Sequence, residues 1–214
     1  MRVSNEARPP DEQSRAQRRA DRGVEANARL TATNAAVLIM LLAAEGATIL
    51  RVRQLISPHV FLGMVLIPPV LLKIGSTGYR FVRYYRGAPA YRRKGPPPLV
   101  LRLLGPVVVI LTLVLLASGV ALLLAGPAWQ HELLFVHKAS FVLWFIAMTV
   151  HVLGHLAEVA RVAPRDWLRR DRRDVSGAGT RQWLLAASLV AGALLGLATL
   201  SRIGPWLASA HVGH

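Results

Sequence analysis

Long uncharged stretches alternate along the chain with short blocks that hold nearly all of its charge. A soluble domain would interleave polar and apolar positions at the helical or strand period, so this segregation indicates a solvent that changes from water to lipid. Five stretches predict membrane-crossing helices: residues 35–50, 59–74, 103–125, 133–157 and 183–201. The first is interrupted only by Glu45, and the second is expected to continue as helix toward Tyr84. The third has 23 residues without a charge, enough to cross a hydrocarbon layer of about 30 Å with some tilt. The expected fold is an all-α membrane protein with five transmembrane helices, a four-helix bundle plus one extra helix. It should occupy residues 31–208, between a disordered basic tail at 1–30 and a short tail at 209–214.

Helix breakers fall between these stretches. Gly95-Pro96-Pro97-Pro98 precedes the third span, Gly126-Pro127 ends it, and Gly204-Pro205 ends the fifth. Pro68 and Pro69 lie inside the second span, where they free backbone carbonyls. Such a helix needs support from its neighbours, which puts the second span at the centre of the bundle. In the fifth span, Ala191, Gly192, Ala193 and Gly196 allow another helix to approach closely.

The formal net charge of +15 gives the spans a direction. Seven arginines precede the first span, seven Lys and Arg separate the second from the third, and seven Arg separate the fourth from the fifth. The opposite connections hold only Arg51 and Arg53, then Lys138, then Arg202. This asymmetry predicts a cytoplasmic N-terminus and an outer C-terminus. It also explains the basic blocks by topology, without a nucleic-acid partner. The arginine-rich first 30 residues lack the apolar core of a signal peptide. Arg exceeds Lys by 23 to 3, a bias that suggests a GC-rich genome and a bacterial inner membrane. With no cysteine, thiolate metal sites and disulfides are excluded.

Histidines supply the candidate chemistry. The second and fourth spans both run inward, and His59 and His137 stand near their outer starts, at matched depth. Two imidazoles so placed suit the axial positions of a six-coordinate b-type haem. His151 follows His137 by 14 residues (151 − 137), about 21 Å deeper and roughly 40° around the helix. His155 lies one turn further on. Glu45, an acid within a span, is a candidate for proton exchange beside the outer site or a quinol.

The segments 57–85, SPHVFLGMVLIPPVLLKIGSTGYRFVRYY, and 137–155, HKASFVLWFIAMTVHVLGH, resemble the bacterial cytochrome b561-like membrane proteins. The resemblance covers about half of the chain. Such cytochromes hold two haems between helices that carry His pairs at about this spacing. It implies an outer haem b on His59 and His137, with Arg51, Arg53 and Lys138 near its propionates and Gly63 giving the macrocycle room. It implies electron transfer with the quinone pool and a periplasmic or membrane-attached redox subunit, the chain acting as an electron-carrying subunit rather than a complete enzyme. The second span departs from the pattern, since 14 residues after His59 stands Lys73. The inner site opposite His151 or His155 is therefore ligated by a neutral Lys73, five-coordinate, empty, or a quinone pocket.

Two other classes compete. A proton or ion transporter would use Glu45, Lys73 and His151 along a continuous polar route without haem. A haem-free assembly protein would use its basic loops on anionic lipid. Zinc at the His151–His155 pair needs further ligands, and Glu158 is the nearest candidate.

Overall fold

The computed structural model describes residues 10–95, 99–125, 127–167 and 177–207. The expected outer tail at 209–214, with His211 and His214, lies outside them, as do Pro96 to Pro98 and Gly126. Helix α1 spans Pro10–Ile49, α2 Ile56–Tyr85, α3 Pro89–Lys94, α4 Leu99–Ala125, α5 Gln130–Trp167 and α6 Ala178–Thr199. Single 3-10 turns at Pro127–Trp129 and Leu200–Ile203 lead into α5 and out of α6. No strand occurs among the described residues. Five of the helices are long and apolar enough to cross a membrane, and the chain is a multi-pass membrane protein. Large apolar side chains such as Leu103, Ile110, Phe135, Ile146 and Leu194 point outward, where lipid rather than protein surrounds them.

Helix α1 packs between α2 and α5, α4 packs along α5 and touches α2, and α6 lies along the far side of α2. The first four long helices form a bundle in which α2 and α5 are diagonal partners, and α6 is the extra helix. Helix α2 is central, as its two prolines require. Pro69 has no N–H to give the Val65 carbonyl, four residues back. On that carbonyl lies Gly192 of α6: a Cβ there would stand 2.5 Å from Val65 O. One turn on, a Cβ at Gly196 would meet the Phe61 ring at 2.7 Å. Only the two glycines let α6 come this close, and the Gly192 Cα–H faces an oxygen that lacks its helical donor. From the other side Asn34 of α1, fully buried, donates to Pro69 O at 2.8 Å.

Elsewhere the bundle closes on apolar layers and one buried hydrogen bond. Leu38, Leu66 and Val70 form a cluster with Leu41, Leu42, Ile74 and Leu116 around them. Met64, Leu123 and Ile203 form a second, which carries the chain beyond α6 back onto α2 and α4. The chain past Ile203 turns helical again over residues 204–207, so Gly204-Pro205 does not end the helical run as expected. Trp144 Nε1 of α5 donates to Thr112 Oγ1 of α4 at 2.9 Å. In lipid such a bond between helices contributes about 0.6–2 kcal/mol.

The expectation of a disordered tail through residue 30 is corrected from Pro10 onward, where α1 is already helical. The reason is nonlocal. Val24 packs with Ala90 and Tyr91 of α3, and Tyr84 and Ala88 border the cluster. Asp21 pairs with Arg93 at 2.6 Å, and buried Arg29 pairs with Glu25 one turn back at 3.1 Å. Arg93 against Asp21 puts the basic segment after α2 at the same end of the bundle as the basic segment of α1.

Replacing Gly192 by Leu is expected to drive α6 from α2 and cost about 1–3 kcal/mol. A Gly204→Ala change, with nothing within 4 Å of the added methyl, should leave stability unchanged. Thermal unfolding of the detergent-solubilised variants checks the pair.

Candidate functional site

At the end of the bundle opposite the arginine-rich segments, all four bundle helices contribute to one polar layer. Helix α1 brings Glu45 and Thr48, α2 brings His59 and Gly63, α4 brings Ser118 and Gly119, and α5 brings His137. The His59 and His137 rings face one another across the core, with centroids 6.4 Å apart and planes at 83°. Their helices are diagonal partners, which is what directs both rings to the bundle axis.

The oxygen atoms around the rings all gather at Nδ1. Thr48 Oγ1 donates its one hydrogen to Glu45 O at 2.6 Å, so toward His59 Nδ1, 3.0 Å away, it can only accept. Glu45 Oε1 stands 3.0 Å from the same Nδ1. Ser118 Oγ likewise donates to Leu115 O at 2.9 Å, so it accepts from His137 Nδ1 at 3.0 Å. This arrangement favours the Nδ1–H tautomer in both imidazoles, which leaves Nε2 for a further ligand. Second-sphere acceptors on the other ring nitrogen are how proteins orient a metal-binding histidine and raise its basicity.

The residues present fit a haem iron. Two imidazoles bound through nitrogen to opposite faces of one metal, at about 2 Å each, have ring centres roughly 6 Å apart. Gly119 makes room for the His137 ring, since a Cβ there would lie 3.2 Å from its Cε1. Beside Gly63 a Cβ would meet only Glu45 Oε1, at 3.6 Å. Glu45 Oε2 is buried without a hydrogen-bond partner among the described residues. No group of three or more His, Asp or Glu side chains converges as a metal cage among the described residues; a haem iron needs only two axial donors.

The remaining candidates are placed apart from the pair. Arg53 lies in the exposed turn between α1 and α2, and Lys138 is exposed on α5, both near the same end as the ring pair. Toward the other end, Lys73 Nζ donates to the Thr31 carbonyl of α1 at 3.0 Å. Ser76, one turn on, accepts from Thr31 Oγ1 at 3.1 Å, and its carbonyl accepts from Asn27 at 3.2 Å. The His151 and His155 rings are 4.8 Å apart, and His151 Nδ1 is buried without a hydrogen-bond partner among the described residues. The side chain of Glu158, the third zinc candidate, lies outside the described residues. Between Glu45 and Lys73 stand the Leu38, Leu66 and Val70 cluster and its apolar border, which interrupts the polar route that a transporter would use.

The structure brings His59, His137 and Glu45 together at one level, and beside them stand Thr48 and Ser118, which the sequence did not single out. No family model, curated protein or solved structure matches the chain.

In the haem-free chain, two-bond nitrogen–proton correlations of 15N-labelled histidine should show His59 and His137 protonated at Nδ1 and bare at Nε2. Ser118→Ala is expected to let the His137 tautomers mix while leaving those of His59 fixed.

Proposed function

We propose that the chain is a b-type membrane cytochrome whose haem is held by His59 and His137. One observation carries this reading: two diagonal imidazoles, 6.4 Å apart, with their Nδ1 atoms held by acceptors and their Nε2 atoms bare. The resemblance of the segments 57–85 and 137–155 to cytochrome b561-like proteins agrees with it. Bound haem supplies reversible one-electron chemistry.

The chain's own residues do the rest. Thr48 and Ser118 hold the ligand rings through Nδ1, and Glu45 Oε1, 3.0 Å from His59 Nδ1, adds a second partner that orients that ring. Gly63 and Gly119 leave space beside the rings. Glu45 Oε2 can hold a proton at the edge of the site, which suits exchange with a quinol. Arg53 and Lys138 provide cations at the same end for the propionates or for a redox subunit docking there.

On this reading electrons pass between the quinone pool and a periplasmic or membrane-attached partner. The chain sits in a bacterial inner membrane, with its basic segments in the cytoplasm and the His59–His137 layer toward the outside. The positive charge of the three inner blocks supports that orientation. The assignment is to one haem. At the His151 layer α2 carries no second histidine, and Lys73 Nζ donates to Thr31 O.

A dithionite-reduced minus oxidised spectrum of protein purified from haem-replete cells tests the proposal. One haem per chain with a sharp b-type α-band is expected, the band being lost in both His59→Ala and His137→Ala and kept on replacing His131, exposed at the start of α5, by Ala. Protein without haem sinks the cytochrome reading and returns Glu45, Lys73 and His151 to consideration as a transport path.

A further inference from the structure

We propose that the end of the bundle opposite the arginine-rich segments is a docking face for an acidic soluble protein. For the partner's role the inference rests on the cytochrome reading, on which that protein exchanges electrons with the site beneath. Exposed cations surround the start of α2. Arg51 and Arg53 lie in the turn that joins it to α1. Arg202 stands in the turn after α6, whose Ile203 packs on Met64 with Ile56 and Val60, on either side of His59, at its border. Lys138 is exposed on α5, next to His137. All four cations thus belong to the elements that frame the His59–His137 layer.

Two features set them apart from ordinary surface charge. The first is that the chain does not neutralise them. None of the four pairs with a carboxylate among the described residues. Glu132 is the one exposed acid at that end among the described residues, which leaves a surplus of three positive charges (4 − 1). Outer connections of membrane proteins are ordinarily poor in Lys and Arg, so cations kept there stand against the usual bias. The second feature is shape. The turn borders an open hollow of about 380 Å3, in which Arg51 and Arg53 alternate with Leu50, Val52 and Gln54. A partner's Asp or Glu side chain fits such a hollow, and an arginine fork binds a carboxylate through two parallel hydrogen bonds. Positive charge over an electron-transfer site speeds the encounter with an acidic partner, and such encounters use small, salt-sensitive interfaces.

The test takes cytochrome c with succinylated lysines as an acidic probe and native cytochrome c as its basic counterpart. Each is mixed with the whole chain in phosphatidylcholine nanodiscs, and a carbodiimide joins adjacent carboxylates and amines. The chain has three lysines, Lys73, Lys94 and Lys138, so the linked peptide reports which end was met. Lys138 is expected to link to the succinylated probe at least about tenfold more than to the native one, an excess that roughly 0.5 M salt abolishes. Combining Arg51→Gln, Arg53→Gln and Arg202→Gln should remove the excess, and Arg86→Gln, at the other end, should leave it intact. The salt dependence decides the matter if the triple variant does not fold. In the haem-loaded protein the triple change should slow the passage of one electron to the ferric succinylated probe about tenfold. Equal linking of Lys138 to the two probes, or links at Lys94 alone, overturns the proposal and leaves the cations to lipid headgroups. Cross-linking needs no haem. Protein without haem therefore defeats the cytochrome reading alone, and haem-loaded protein without the Lys138 excess defeats the docking face alone.

Discussion

In the hydrocarbon of a membrane no water is present to satisfy a backbone carbonyl, and α2 carries two consecutive prolines in the middle of its crossing. Pro68 and Pro69 remove the helical donors of the Met64 and Val65 carbonyls, and two neighbouring helices close on α2 around that level. Gly192 of α6 lies directly on Val65 O, and from α1 Asn34 adds a side-chain bond to Pro69 O. Neither contact works with an ordinary residue in its place. A side chain at 192 would strike the α2 backbone, and an apolar residue at 34 would leave Pro69 O without its side-chain donor. Helix α2 is thus clamped between α1 and α6, with little freedom to rotate or slide.

That clamp has a consequence two to three turns away. With α2 fixed against α1, His59 meets Thr48 and Glu45, and its Nδ1 is taken up by α1. Helix α5 is fixed independently, by Trp144 on Thr112 and by close approach of Gly154 to Leu101 of α4. Ser118 of α4 takes up His137 Nδ1 in the same way. The two histidine-bearing helices thus each lean on a different neighbour, and their rings meet on the axis between them. Preorganisation of this kind spares a cofactor site from reorienting its ligands when the metal enters. At the other end α2 is bound to α1 through Lys73 and Ser76.

The spans were legible because lipid imposes a coarse rule, long and uncharged, that needs no knowledge of neighbours. His59 and His137 were legible for the same reason, since depth in the membrane follows from position along a span. The helical start of α1 was not. Its arginines and small residues read locally as solvated chain, and the contacts that order it come from Ala90, Tyr91 and Arg93, some 70 residues away. Thr48 and Ser118 escaped because a helical Ser or Thr ordinarily bonds a carbonyl of its own preceding turn. Both do so here, and their second bond, to a histidine, depends on a neighbouring helix that sequence alone does not position. Lys73 shows the converse. Its spacing from His59 matched a ligand position, but a lysine one layer from a helix neighbour also finds carbonyls, and Thr31 O was nearer to hand.

Low-temperature electron paramagnetic resonance of the oxidised, haem-loaded protein tests most directly whether His59 and His137 share one iron. The predicted result is a low-spin ferric signal from two imidazole ligands. Replacing either histidine by glycine should convert it to high spin, and added imidazole should restore it by filling the vacated position. A low-spin signal that survives unchanged in both glycine variants, or no haem signal at all, would contradict the assignment.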